Sequence, residues 1–106
     1  MQIKENMKAG IEVSDQAKVK INNNFICMND FQGIIIKENS NAKIMYNEIY
    51  KNIKANIALG GKKSSESLII NNKIYTGSSQ GIYLCYSDKC KVYYNKIINN
   101  YIGILV

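Results

Sequence analysis

Gly10-Ile11, Gly33-Ile34, Gly81-Ile82 and Gly103-Ile104 repeat one dipeptide along the chain, and Asn56-Ile57 stands at the missing step, so the intervals are 23, 23, 25 and 22 residues. A second register agrees: Asn24, Asn47, Asn72 and Asn95 lie 23, 25 and 23 residues apart. A repeat of this length cannot bury its own apolar face, so neighbouring units must stack to make a core. The third unit is longer by two residues near Gly60, Gly61, Lys62 and Lys63, which reads as a turn insertion.

Every unit has the same internal order. It opens on a short alternating run, Ile11/Val13, Ile34/Ile36, Ile57/Leu59, Ile82/Leu84 and Ile104/Val106. After a polar turn comes a small-residue position (Val19, Ala42, Ser67, Cys90), followed by Ile21, Ile44, Ile69 and Val92. The Asn column is next, then Ile26, Ile49, Ile74 and Ile97, and a last turn holding Asn29, Asn52 and Asn100, with Gly77 in their place once. Period-two alternation in β-branched runs, broken by Asn, Gly and Ser, is a strand signal. Three runs per unit predict an all-β, right-handed parallel β-helix of about four and a half coils of 22 to 25 residues, with coils starting near residues 10, 33, 56, 81 and 103. Equivalent side chains would then stack at roughly 4.8 Å, isoleucine on isoleucine inside. Asn24, Asn47, Asn72 and Asn95 would form a carboxamide ladder at a bend, where Asn also tolerates left-handed backbone. A leucine-rich repeat has a similar period, but it wants an apolar residue where this chain has Gln16, Asn39, Ser64 and Ser87.

The chain opens mid-coil, with Ile3 and Asn6 in phase with Ile26 and Asn29, and closes at the end of a first strand. Neither end carries a polar cap, so residues 1–106 are expected to be a fragment of a longer β-helix whose open coil ends can self-associate end to end.

A length of 106 residues allows one domain. The net charge of +6 is carried wholly by Lys; there is no Arg, His, Trp or Pro. Without Arg there is no planar fork for phosphate or guanine, which argues against nucleic acid despite the interleaved Tyr83, Tyr86, Tyr93 and Tyr94. Cys27, Cys85 and Cys90 have no C-x-x-C spacing and no His, so neither a disulfide framework nor a metal site is expected, and no cofactor. Cys90 falls in the inward column and Cys85 on the outward phase. No apolar run reaches the roughly 20 residues of a membrane span, and the polar first ten residues show no signal peptide. A reducing intracellular compartment, cytoplasmic or nuclear, is the expectation.

The stretches Asn47-Glu48-Ile49-Tyr50-Lys51-Asn52, Asn72-Lys73-Ile74-Tyr75-Thr76-Gly77 and Gly81-Ile82-Tyr83-Leu84 resemble the parallel β-helix repeats of carbohydrate-binding and sugar-hydrolase proteins. They are most similar to the β-helix of F-box-only ubiquitin-ligase adaptors, and the resemblance spans the chain. It implies a substrate-receptor scaffold; no F-box lies within these residues.

Outward positions supply the candidate sites. Cys27, Tyr50, Tyr75 and Ile98 make one column, a ladder that shields its neighbours or, in the functional reading, a strip for a peptide or sugar ring. Lys20, Lys43 and Lys91, interrupted by Leu68, make a second, suited to an acidic peptide or polyanion or to a solvated face; Lys73 and Lys96 adjoin. Asp15 and Glu38 share a position in adjacent coils and are the catalytic candidates, since paired carboxylates serve glycoside hydrolysis or calcium binding. The next coils place Gly61 and Tyr86 there, and no His or Arg supports them. The expectation is therefore a non-catalytic scaffold with a protein partner, in the manner of an F-box adaptor; the alternative is a carbohydrate-binding or polysaccharide-cleaving β-helix domain.

Overall fold

A computed structural model describes residues 1–60, 66–85, 87 and 89–106. Among the described residues, twelve strands pair exclusively in parallel. They are β1 (Gln2–Lys4), β2 (Ile11–Val13), β3 (Lys18–Asn22), β4 (Phe25–Cys27), β5 (Ile34–Ile36), β6 (Asn41–Met45), β7 (Glu48–Tyr50), β8 (Ile57–Leu59), β9 (Leu68–Ile70), β10 (Lys73–Leu84), β11 (Lys91–Tyr93) and β12 (Lys96–Leu105). One sheet runs β11-β9-β6-β3; the other runs β1-β4-β7-β10-β8-β5-β2, with β12 paired to β10. The chain is a three-sided parallel β-helix.

Register follows the repeat residue for residue. Ile34 pairs with Ile11 and Ile57, Ile44 with Ile21 and Ile69, and Ile49 with Ile26 and Ile74. All these isoleucines are buried except Ile11, which lies half-buried at the first coil. Each fully buried one contributes about 1.5–3 kcal/mol, and only stacking makes that burial complete.

The corners are built from left-handed residues that are not glycine. Asn23, Tyr46, Asn71 and Tyr94 precede the first Asn column with φ of 53 to 60°. Glu5, Met28, Lys51, Thr76 and Asn99 precede the second turn with φ of 50 to 61°. In each case the following Asn or Gly turns into the corner.

Two features depart from the expected three separate strands per coil. β10 and β12 each run from the third face through the corner into the next first face. Gly77 pairs with Asn100 there and Gln80 next with Ile102, so the two strands turn the corner after Thr76 and Asn99 with a one-residue shift of register, a β-bulge. The two-residue insertion leaves Gly60 among the described residues, whereas Gly61, Lys62 and Lys63 lie outside them.

The Asn column is continuous. Each Asn donates both its backbone N–H and its Nδ2 to the Oδ1 one coil on: Asn24 to Asn47, Asn47 to Asn72, and Asn72 to Asn95, all at 2.9–3.1 Å. Nδ2 of Asn47, Asn72 and Asn95 also donates backwards to the carbonyls of Ile21, Ile44 and Ile69. Among the described residues, no buried side-chain polar atom lacks a partner.

Candidate functional site

The sheet β3-β6-β9-β11 turns Ile21, Ile44 and Ile69 inward and Lys18, Lys20, Lys43 and Lys91 outward by strand alternation, with Ile70 on the outward phase. Register places Lys20 beside Lys43, Lys43 beside Leu68, and Leu68 beside Lys91. All three lysines are exposed, and Leu68 is half-buried. One step along the strands lie Lys18 and Asn41, paired in register, then Glu66 and Lys89. The Glu66 N–H donates to Asn41 Oδ1 at 2.8 Å, and Lys89 Nζ lies 3.8 Å from the Glu66 carboxylate.

Two shallow troughs cross this face. The first, of about 570 Å³, is lined by Lys18, Lys20, Asn41, Lys43 and Glu66 together with Val19 and Ala42. The second, of about 660 Å³, is lined by Glu66, Ser67, Leu68, Lys89, Cys90 and Lys91. They share Glu66 and so run on along the helix axis. Lys20 and Lys43, one strand spacing apart, repel by roughly 1 kcal/mol in a water-like medium. Only an anion over the face would turn that cost into a gain. Burial pushes the Cys90 thiol at the trough's edge up to about 11, so it sits there as a neutral, weakly polar side chain.

The third face carries the tyrosines. The Tyr50 and Tyr75 rings stack with centroids 4.8 Å apart and planes 13° apart. Ile98 is next to Tyr75 in register, so each Tyr75 face already has a neighbour. Lys73 Nζ stands 4.9 Å from the Tyr75 centroid, and the Tyr75 hydroxyl donates to Glu48 Oε1 at 3.2 Å. A sugar ring finds no free ring face between the two. Cys27, in the same outward column, is buried beneath Tyr50 rather than exposed. The hydrogen bond with Cys27 pushes the Tyr50 hydroxyl up to about 12, with burial and the nearby Tyr75 and Glu48 adding to it. Burial and the Glu48 carboxylate raise Tyr75 as well.

A raised folded-state value means the folded chain holds the neutral phenol. The stability from Tyr50 is then complete below its unfolded value of about 10 and is lost as pH rises through about 12. In a near-ultraviolet titration of the folded chain, one tyrosinate signal is expected near pH 12 and to fall to lower pH in Cys27→Ala. All tyrosines titrating together near 10 would contradict this arrangement.

Asp15 and Glu38 do come together at the first corner. Glu38 Oε2 accepts the Asp15 N–H at 3.1 Å, and the Glu38 carbonyl accepts the Gln16 N–H at 3.1 Å. One carboxylate thus holds the corner backbone, and both residues are left-handed and exposed. The equivalent positions Gly61 and Tyr86 lie outside the described residues. Among the described residues, no group of three or more His, Cys, Asp or Glu could hold a metal ion.

One residue escaped the sequence reading. Asn56, at the glycine position of the repeat, turns inward: it accepts from Asn52 Nδ2 at 2.8 Å and donates to Asn100 Oδ1 at 2.9 Å. It thereby completes the second ladder, Asn6-Asn29-Asn52, across the gap at Gly77. The signal was present in the sequence: Asn stands where Gly is due, and 21 residues later Gly stands where Asn is due.

Comparison with known proteins agrees with this architecture. One solved structure similar to the chain is the periplasmic alginate epimerase AlgG, at 26% identity and a TM-score of 0.74, covering 96% of this chain. The chain spans 27% of that protein's length. No curated protein matches. The family described as right-handed β-helix region matches residues 1–106, and the chain therefore belongs to the right-handed parallel β-helix family.

Proposed function

We propose that this β-helix is a non-catalytic carbohydrate-binding scaffold, with the outward face of β3-β6-β9-β11 as its contact surface. The observation that carries it is the pair of troughs that meet at Glu66 along that face, each combining apolar surface with lysine side chains. Support comes from a β-helix of known chemistry, the alginate epimerase, which is similar over nearly the whole chain. The Glu38 carboxylate is tied to its own corner, which favours binding over cleavage. The residues that resemble ubiquitin-ligase adaptors are the ones that build the coil. Ile49, Ile74 and Ile82 are core, and Asn47, Asn52 and Asn72 are ladder, so these residues specify the coil.

The test is a glycan array probed with the 106-residue chain, alongside the Asp15→Asn/Glu38→Gln variant. Binding by both proteins, with no shortening of the bound glycan, is expected. Silence across the array sinks the reading, and cleavage that disappears in the variant would replace it with an enzyme.

A further inference from the structure

The corner joining the β3-β6-β9-β11 sheet to the third face carries side chains that neither the core nor the Asn ladder uses. Its left-handed position holds Asn23, Tyr46, Asn71 and Tyr94 in successive coils. Asn suits that backbone better than Tyr does, and Tyr46 and Tyr94 are 59% and 83% exposed, so neither ring is there for packing. Just before them, outward on the sheet, Met45 pairs with Ile70 and Ile70 with Tyr93. Contacts tie these side chains into one ridge. Asn71 Nδ2 donates to the Tyr46 hydroxyl at 3.5 Å, and the Tyr93 and Tyr94 ring centroids lie 6.3 Å apart.

Exposed lysines flank the ridge on both sides. Lys43 and Lys91 precede Tyr46 and Tyr94 on the sheet, while Lys73 and Lys96, paired in register, follow Asn71 and Tyr94 on the third face. The described acids nearest in sequence already have partners: the Tyr75 hydroxyl donates to Glu48, and Lys89 lies 3.8 Å from Glu66. We infer that this corner docks the chain on an anionic lipid bilayer, with Tyr46, Tyr93 and Tyr94 in the headgroup layer and the flanking lysines on the anionic headgroups.

Shape and chemistry choose this occupant. A corner is convex, so it has no groove to enclose a peptide or a glycan, whereas a soft planar surface can receive a ridge. Tyrosine joins an apolar ring to a polar hydroxyl and favours the membrane–water boundary. Binding there sums buried apolar area and the attraction of cations to anionic lipids, and three successive coils of this corner supply both. The inference stands apart from the carbohydrate-binding reading, since the tyrosines, Lys73 and Lys96 line neither trough.

The experiment is co-sedimentation of the chain with sucrose-loaded vesicles of phosphatidylcholine alone and of phosphatidylcholine mixed with phosphatidylserine. Binding to the mixed vesicles only is expected, and it should be lost as ionic strength nears about 1 M, where the screening length is about 3 Å. Tyr46→Asn/Tyr94→Asn should weaken it about tenfold, as when roughly 60 Å² of ring surface returns to water. Asn already occupies that corner in two coils, so this variant keeps the fold, which its circular dichroism spectrum checks. Lys73→Gln/Lys96→Gln should weaken binding by about fivefold for each lysine. Tyr101→Asn, 81% exposed at the other corner, should leave it unchanged. Sedimentation with neither vesicle, or equally with both, overturns the proposal. Full binding by Tyr46→Asn/Tyr94→Asn overturns it too, because only the diffuse attraction of a basic chain would remain. Tighter binding of polyglutamate than of the mixed vesicles, weakened by the same tyrosine variant, would assign the corner to an acidic protein instead. None of these outcomes bears on the glycan array.

Discussion

Asn47→Ala should lower the unfolding free energy by about 3–5 kcal/mol, read from the shift of the urea midpoint at unchanged slope. The side chain is 1% exposed, and the substitution removes one oxygen that accepts two donors from Asn24 and one nitrogen that donates to Ile21, Met45 and Asn72. The Ile21 carbonyl and the Asn72 side chain left behind are buried and those of Asn24 and Met45 partly so, and each buried group retains a desolvation cost of about 1–3 kcal/mol. Asn24→Ala, at the half-buried first rung, orphans fewer groups and should cost nearer 1 kcal/mol. Against a total stability of about 5–15 kcal/mol the difference is easily measured. Equal losses at the two rungs would mean that the ladder is decoration on the core rather than part of it.

The second large effect concerns Asn56 and Gly77. In an ordinary coil the glycine column leaves room for the next Asn of the second ladder: a Cβ at Gly10, Gly33 or Gly81 would stand 2.7–2.9 Å from the Nδ2 of Asn29, Asn52 or Asn100. In the third coil the two residue types change places. A Cβ at Gly77 would stand 2.9 Å from Asn56 Nδ2 and 2.7 Å from Asn100 Oδ1, so only one carboxamide fits the corner. Gly77→Asn should therefore cost about 1–3 kcal/mol by overpacking. Asn56→Gly should cost a similar amount, because Asn100 Oδ1 loses its donor and a void opens. The double variant restores the ordinary arrangement, and a double-mutant cycle should return a coupling of about 2–3 kcal/mol in its favour. Simple additivity would show that the exchange is accidental.

Much of this molecule is legible in its sequence. Ile34, Ile57 and Ile82 share a phase of the repeat, and a parallel solenoid converts equal phase into equal position, so register, core and the Asn24-Asn47-Asn72-Asn95 file followed from spacing. Inward or outward direction was equally readable, because alternation in a strand is local: Lys20, Lys43 and Lys91 stand on the face their parity assigns. Periodicity is a one-dimensional property, and this fold is nearly one-dimensional.

What spacing could not decide depends on where side chains end once they leave the backbone. Cys27 has outward parity, yet Tyr50 closes over it, since a long ring can lean along the axis onto a short neighbour. Asn56 sits in a glycine column, yet its carboxamide reaches a ladder belonging to residues 4 positions before it and 44 after it. Glu38 looked like a partner for Asp15 in chemistry and instead accepts that residue's backbone N–H. The repeat determined the order of the coils; the volume and hydrogen-bonding reach of individual side chains, set only by packing in three dimensions, determined which faces were left to act.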